Sequence, residues 1–173
     1  PVAAGIMGSV AGAPAAFALM SHFTVMVKEQ SQIFPSGPPV VKRAIGEDLD
    51  KEELGGYKMH VHESGQVDNV ADSEEEAFEQ IKKFISYLPN TTNDVAPRIE
   101  TGDPPDRRPE ELLNIIPPNR KRSYDPRKLI QLVVDNGDFF EMRRHWAGAL
   151  ITGFARLDGY SVGVIGSDPM FMA

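Results

Sequence analysis

The sequence contains no cysteine. A disulfide framework, a thiolate nucleophile and a cysteine-based metal site are therefore excluded, which fits a reducing compartment. A surplus of basic charge is missing too: 18 Lys and Arg stand against 25 Asp and Glu, giving a net charge of −7 and a pI near 5.1. Nucleic acid and anionic membrane surfaces both attract proteins with an excess of Lys and Arg, so neither partner is expected. A long unbroken apolar run is also absent. The best candidate, from the N-terminus to about Met20, is interrupted by Gly5, Gly8, Gly12 and Pro14 and has no basic leader, so it reads neither as a membrane span nor as a signal peptide. The expected setting is the cytosol or an organelle matrix. Both ends read as cut: the chain opens without methionine inside an apolar run and stops on Met170-Phe171-Met172-Ala173 without a polar tail.

What is present, in 173 residues, suffices for one substantial core or parts of two domains. The organising stretch is Gly8 to Leu19. Val2 to Met7 before it is uncharged and reads as a buried strand, whereas Ala15 to Met20 is too Ala-rich for a strand and reads as a helix. A glycine turn between strand and helix lets a backbone approach a ligand closely, and the helix start offers unpaired N–H groups to a developing negative charge. Pro14 suits the start of that helix, leaving the N–H groups of Gly12 and Ala13 free to point outward. The alternative is a packing turn with no ligand.

Phe23 to Lys28 has the content of a second strand, so strand, helix and strand imply a right-handed crossover. A turn-rich loop from Gln32 to Pro39 precedes a short helix at Val40 to Ile45 and suits the rim of a pocket, and Asp50 with Glu53 forms a capping box over one or two helical turns. Lys58 to Gly65 alternates like an extended segment, placing His60 and His62 on one face. Glu63 and Asp68 are near, but no third ligand has convincing spacing, so hydrogen-bonded histidines are expected and a metal is not. A Ser-His pair of His60 and Ser64 has no third member. Glu74 to Leu88 is an amphipathic helix with Ala77, Phe78, Ile81, Phe84, Ile85 and Leu88 on one face, capped by Ser73 and Glu76.

Eight of the fourteen prolines fall between Pro89 and Pro126, a density that resists regular structure. The stretch reads as an inter-domain connection with one short helix near Glu110 to Ile116. Its basic run Asn119-Arg120-Lys121-Arg122 is expected to be solvated or to touch a subunit. A second unit begins with Asp125-Pro126 as N-cap and first helical residue, places Leu129, Ile130, Val133 and Val134 on one face and ends at Asn136-Gly137. Strands follow: one with Phe140, Met142 and Trp146 on a shared face, then Ile151 to Leu157 and Tyr160 to Ile165 around a type I′ turn at Asp158-Gly159. The expected domains are 1–88, a connection at 89–124, and 125–173.

Gly8-x-x-Ala11-Gly12, Phe34-x-x-Gly37-Pro38-Pro39-Val40-Val41, Glu53-Leu54-Gly55-Gly56 with His60 and Ser64-Gly65, Tyr124-Asp125-Pro126-Arg127, Asp138-Phe139-Phe140-Glu141, and Thr152-Gly153-Phe154-Ala155-Arg156-Leu157-x-Gly159 occur in that order. Together they resemble the carboxyltransferase subunits of biotin-dependent acyl-CoA carboxylases, such as propionyl-CoA carboxylase β subunits, and the related biotin-dependent decarboxylases. The resemblance covers nearly the whole chain, which corresponds to the middle of the family sequence. It implies an α/β crotonase-like (ClpP/crotonase) fold, with the end of one domain and the beginning of a second.

The resemblance also implies a mechanism. Carboxybiotin on a carrier protein releases carbon dioxide, the freed biotin nitrogen takes the α-proton of an acyl-CoA, and the enolate attacks carbon dioxide. Backbone donors hold the enolate, and Gly12 and Ala13 match one pair of them. The second pair would lie beyond Ala173. Gly8, Ser36, Gly37 and Pro38 fall at the expected substrate side. The implied cofactor is biotin on a partner, the implied partners are biotin carboxylase and biotin carboxyl carrier subunits, and the implied assembly is a homo-hexamer or another homo-oligomer. The same site run in reverse would make a decarboxylase subunit, and a non-catalytic assembly subunit would keep only the fold. The chain departs from the family at Gly12-Ala13-Pro14 (usually two glycines and alanine), at His22 (usually aspartate) and at Gly166-Ser167-Asp168-Pro169 (usually Ala-Asn-Gln-Pro).

Overall fold

The computed structural model describes residues 1–119 and 122–171. Arg120, Lys121, Met172 and Ala173, and with them part of the expected basic run and of the apolar end, lie outside the described residues. The chain divides into two compact units, Pro1–Ile85 and Ser86–Ala173.

The first unit carries two parallel sheets. In one, β1 (Ala3–Ile6), β3 (Phe23–Val27) and β5 (Asn69–Ala71) lie in that order, with Ala3 opposite Phe23 and Val25 opposite Asn69. The other pairs β2 (Ser9–Ala11) with β4 (Gln32–Phe34), Ser9 opposite Gln32. The first two passes of chain each lay one strand in each sheet, with α1 (Ala13–Leu19) linking β2 to β3, and the third adds β5 to the first sheet alone. The sequence pattern leads to a glycine turn passing directly into a helix; instead the turn at Gly8 feeds a three-residue strand, and Gly12 then starts the helix.

All five residues of β3 are buried, as a central parallel strand requires, which is why its sequence is an unbroken run and not an alternation. The core gathers Ile6, Ala15, Met26, Ile33, Val61 and Val67. Asp68, also buried, accepts from the Thr24 N–H at 2.8 Å and from its hydroxyl at 2.9 Å, so its carboxylate is engaged in holding β3.

The helices α2 (Pro38–Ile45) and α3 (Lys51–Gly55) follow β4, the latter with the complete Asp50/Glu53 capping box. The helix α4 (Glu74–Ser86) buries Ala77 and Phe84, the latter stacked on Phe23 with ring centroids 5.0 Å apart, while Phe78 and Ile85 of the same predicted face remain 49% and 48% exposed. Ser73 Oγ accepts from Glu76 N as expected, but Glu76 reaches back to the N–H of Asp72.

In the second unit β6 (Phe140–Met142), β7 (Leu150–Leu157) and β8 (Tyr160–Ser167) form an antiparallel meander. Asp158 at φ 51° and Gly159 at φ 76° make the expected I′ turn. The strand predicted to include Trp146 ends at Met142, because the backbone turns through positive φ at Arg143 and Ala147. The helix α5 (Pro126–Val133) has Asp125 as N-cap and packs Ile130, with Val134 beyond its end, against Ile151 and Ala155. Described residues of the Pro-rich connection hold one 3₁₀ turn, Glu110–Leu113. They are nevertheless anchored: Ile99 N donates to Gly159 O, and Arg107 donates to the carbonyls of Leu132 and Val134 at 2.9 and 3.0 Å, closing the end of α5.

Candidate functional site

Gly12 stands at φ 74° and ψ −143°, a conformation essentially reserved for glycine. It turns the chain from β2 into α1, with Pro14 in the first turn of the helix. Its N–H does not point outward, correcting that part of the sequence reading: it donates to Phe34 O at 3.2 Å and Pro35 O at 3.1 Å. The reason is register. Ala11 lies opposite Phe34, so the residue after β2 meets the carbonyls at the exit of β4. The Ala13 N–H, first of the helix, has no acceptor among the described residues, and Ala13 is exposed. The pair expected from sequence therefore divides into a turn residue, Gly12, and an open donor, Ala13.

The Gly12 bonds bring together the two segments singled out from sequence. Ser36 is exposed in the loop after β4, Gly37 is the N-cap of α2 and Pro38 its first residue. Gly8 lies one step back, at the bend before β2, where its carbonyl accepts from Gln32 N. A polar chain missed in the sequence braces the same strands: Ser9 Oγ donates to Gln32 Oε1 at 2.6 Å, and Gln32 Nε2 to Glu52 Oε2 at 3.2 Å. Only the strand register brings these residues together, and Ser9 and Glu52 share no local pattern.

The segment read as extended, Lys58 to Gly65, is instead a π-helical turn over Lys58–Glu63. His60 and His62 consequently do not share a strand face. His60 is 6% exposed, with Nε2 2.6 Å from Ile33 O, whereas His62 is exposed and meets the edge of Tyr57. Burial pushes the His60 imidazole below its ordinary range, with the Ile33 carbonyl acting in the opposite sense. Among the described residues no cluster of three or more His, Asp or Glu is arranged to hold a metal.

Two departures from the family pattern find local explanations. His22 Nδ1 accepts from Val2 N at 3.0 Å while its own N–H donates to Val2 O, fixing the start of the chain beside β3. Asp168 is buried 2.7 Å from Arg127 Nη1, and the same guanidinium pairs through its Nε with Glu141 at 2.9 Å. The two carboxylates hold the Arg127 pKa above its ordinary value, the hydrogen bond donated to Glu141 being the larger cause. Elsewhere in the second unit a polar recess of about 460 Å³ lies between the Arg98 to Asp103 segment and Asp158. No helix among the described residues is long and apolar enough to cross a membrane.

The carboxyl transferase domain profile matches residues 1–173. Methylmalonyl-CoA decarboxylase subunit alpha of Veillonella parvula is 39% identical over 97% of this chain and 33% of its own length. The mitochondrial propionyl-CoA carboxylase beta chain of Sus scrofa is 40% identical over 95% of this chain and 30% of its own. A transcarboxylase 12S hexamer structure with hydrolysed methylmalonyl-coenzyme A bound superposes with a TM-score of 0.90 at 35% identity, covering 98% of this chain and 33% of that one. A single-chain, multi-domain long-chain acyl-CoA carboxylase shares the fold, with a TM-score of 0.85 at 24% identity over 98% of this chain and 16% of that one. The chain thus spans about a third of the length of the curated relatives it matches.

Proposed function

Since the chain belongs to the carboxyl transferase domain family and has its crotonase-like α/β fold, we propose that the protein of which it is part transfers a carboxyl group between biotin and the α-carbon of an acyl-CoA. The observation that carries this reading is the open Ala13 N–H at the start of α1, held in place by the Gly12 bonds to the exit of β4. An enolate formed from a thioester concentrates negative charge on one oxygen. A backbone donor fixed before the reaction stabilises that charge without reorganising, and the positive end of α1 adds to it. Gly12 serves by conformation, making the backbone turn that presents Ala13. Gly8, Ser36, Gly37 and Pro38 border the acyl-CoA.

The biotin cofactor belongs to this reading as a group on a carrier partner, where it would supply carbon dioxide and take the α-proton. The work of this chain is to hold the thioester oxygen. Such a division requires no side-chain base, in keeping with a turn of glycine, alanine and proline. Similarity to both a decarboxylase subunit and carboxylase beta chains leaves the chemistry common to the two directions, because a catalyst lowers the barrier both ways. A homo-oligomer, with biotin carboxylase and carrier subunits as partners and a cytoplasmic or matrix location, completes the proposal; among the solved relatives, transcarboxylase 12S is a hexamer.

The test uses the full-length subunit with free biotin and either malonyl-CoA or methylmalonyl-CoA. Biotin-dependent loss of the carboxyl group from one of them is expected. No biotin-dependent turnover of either, and no carboxylation of their non-carboxylated products by supplied carboxybiotin, would overturn the proposal.

A further inference from the structure

The carbonyls at the exit of β4 are engaged one after another. Gly12 N donates to Phe34 O and Pro35 O, and the preceding carbonyl, Ile33 O, lies 2.6 Å from His60 Nε2. A carbonyl oxygen only accepts, so Nε2 carries the proton and His60 is the Nε2–H tautomer. Its Nδ1 is then a bare acceptor, buried and without a partner among the described residues. The imidazole thus sits as a neutral donor, since a second proton would have no acceptor. Its backbone is fixed at both ends, His60 N donating to Gly56 O at 3.2 Å and Val67 N to His60 O at 3.1 Å. Gly55 permits the close approach: a Cβ there would collide with Ile33 O and the Phe34 ring. A π-helical turn, an uncommon element associated with functional sites, delivers the ring.

We infer that His60 is a positioning residue for the Ala13 donor, setting the Ile33 to Gly37 backbone against which Gly12 is bonded. The inference rests on the carboxyl-transfer reading of that site. Removing the His60 donor frees Ile33 O, lets the exit of β4 shift and carries the Gly12 turn with it. Displacing an oriented donor by about 1 Å can cost roughly a hundredfold in rate. Binding of the CoA portion, made elsewhere on the substrate, changes less. Gln places an amide N–H near the former Nε2 position, whereas Asn is too short to reach it and Leu has no donor.

The experiment compares His60→Gln, His60→Asn and His60→Leu in the full-length assembled subunit, measuring kcat and KM for biotin-dependent decarboxylation and amide hydrogen exchange in peptides covering 12–19 and 33–37. The inference predicts that Gln stays within about threefold of wild type in kcat, while Asn and Leu lose about tenfold or more with KM changed less than about threefold. It also predicts exchange about tenfold faster in both peptides for Asn and Leu only. If Leu fails to fold, Gln against Asn decides, and equal kcat and equal exchange in those two overturn the inference. A folded Leu variant with wild-type kcat and exchange also overturns it. If the wild-type protein transfers no carboxyl group, the function reading fails and the exchange comparison alone decides whether His60 positions the turn.

Discussion

Gly12 and Ala13 are neighbours with different work, one bending the backbone and the other presenting its N–H. Putting a side chain on Gly12 at φ 74° meets no neighbouring atom, so the cost of Gly12→Ala is conformational, on the order of 1–3 kcal/mol. A lower unfolding midpoint of the full-length subunit checks this; an unchanged midpoint contradicts it. At Arg127 the issue is charge. Glu141 and Asp168 are 10% and 2% exposed at their side chains, so Arg127→Ala takes away the guanidinium that both carboxylates share and is expected to cost about 3 kcal/mol or more in a denaturant titration. Arg127→Lys recovers only part, lacking the fork that reaches both. His60 gives a pH signature. Its native pKa lies below the unfolded value of about 6.5, so the native state binds fewer protons in between. The stabilisation is complete above about pH 6.5 and is lost as pH falls through the native pKa. Comparing unfolding free energies across that range, wild type should lose more stability toward acid than His60→Gln; parallel curves would contradict the assignment.

Among the elements, those with strong local signals were legible. The buried strand β3, the capping box of α3 and the Asp158-Gly159 hairpin each follow from a few adjacent residues. The strand β2 was not, because three residues between glycines show no period and become a strand only by pairing with β4. Lys58 to Glu63 alternates polar and apolar residues, which suggests a strand; packing of His60 and Val61 into the interior instead selects a π-helical turn. Fixation of the proline-rich connection was hidden for a similar reason. Asp135 accepts from Asp158 N, Gly159 N and Thr101 Oγ1, at 3.0, 2.7 and 3.1 Å, joining connection, α5 end and hairpin. Asp135→Ala removes all three acceptor contacts and is expected to cost about 2 kcal/mol or more. Faster hydrogen exchange at the β7–β8 turn would report it, and unchanged exchange would argue against this anchoring.

At the scale of the molecule, the described units leave large apolar side chains uncovered, among them Phe17 at 71%, Met20 at 79% and Ile165 at 79% exposure. Among the described residues, the strand β8 also forms one edge of its meander. Residues 1–173 produced in isolation are therefore expected to associate and to lack activity, which light scattering and an activity assay would check; a monodisperse, cooperatively unfolding product contradicts this. The family was legible because its motifs lie along the chain in order, while the division of roles between Gly12 and Ala13 needed the register of β2 with β4. In the proposed reaction the Ala13 N–H holds the enolate oxygen. Ala13→Pro in the full-length subunit deletes that donor at a helix start whose φ suits proline, while Ala13→Gly keeps it. The decisive measurement is kcat for biotin-dependent carboxyl transfer by both variants, with folding and assembly verified. Ala13→Pro is expected to lose roughly a hundredfold or more, about 3 kcal/mol, with KM little changed and Ala13→Gly close to wild type. A folded Ala13→Pro subunit within a few-fold of wild-type kcat would contradict it.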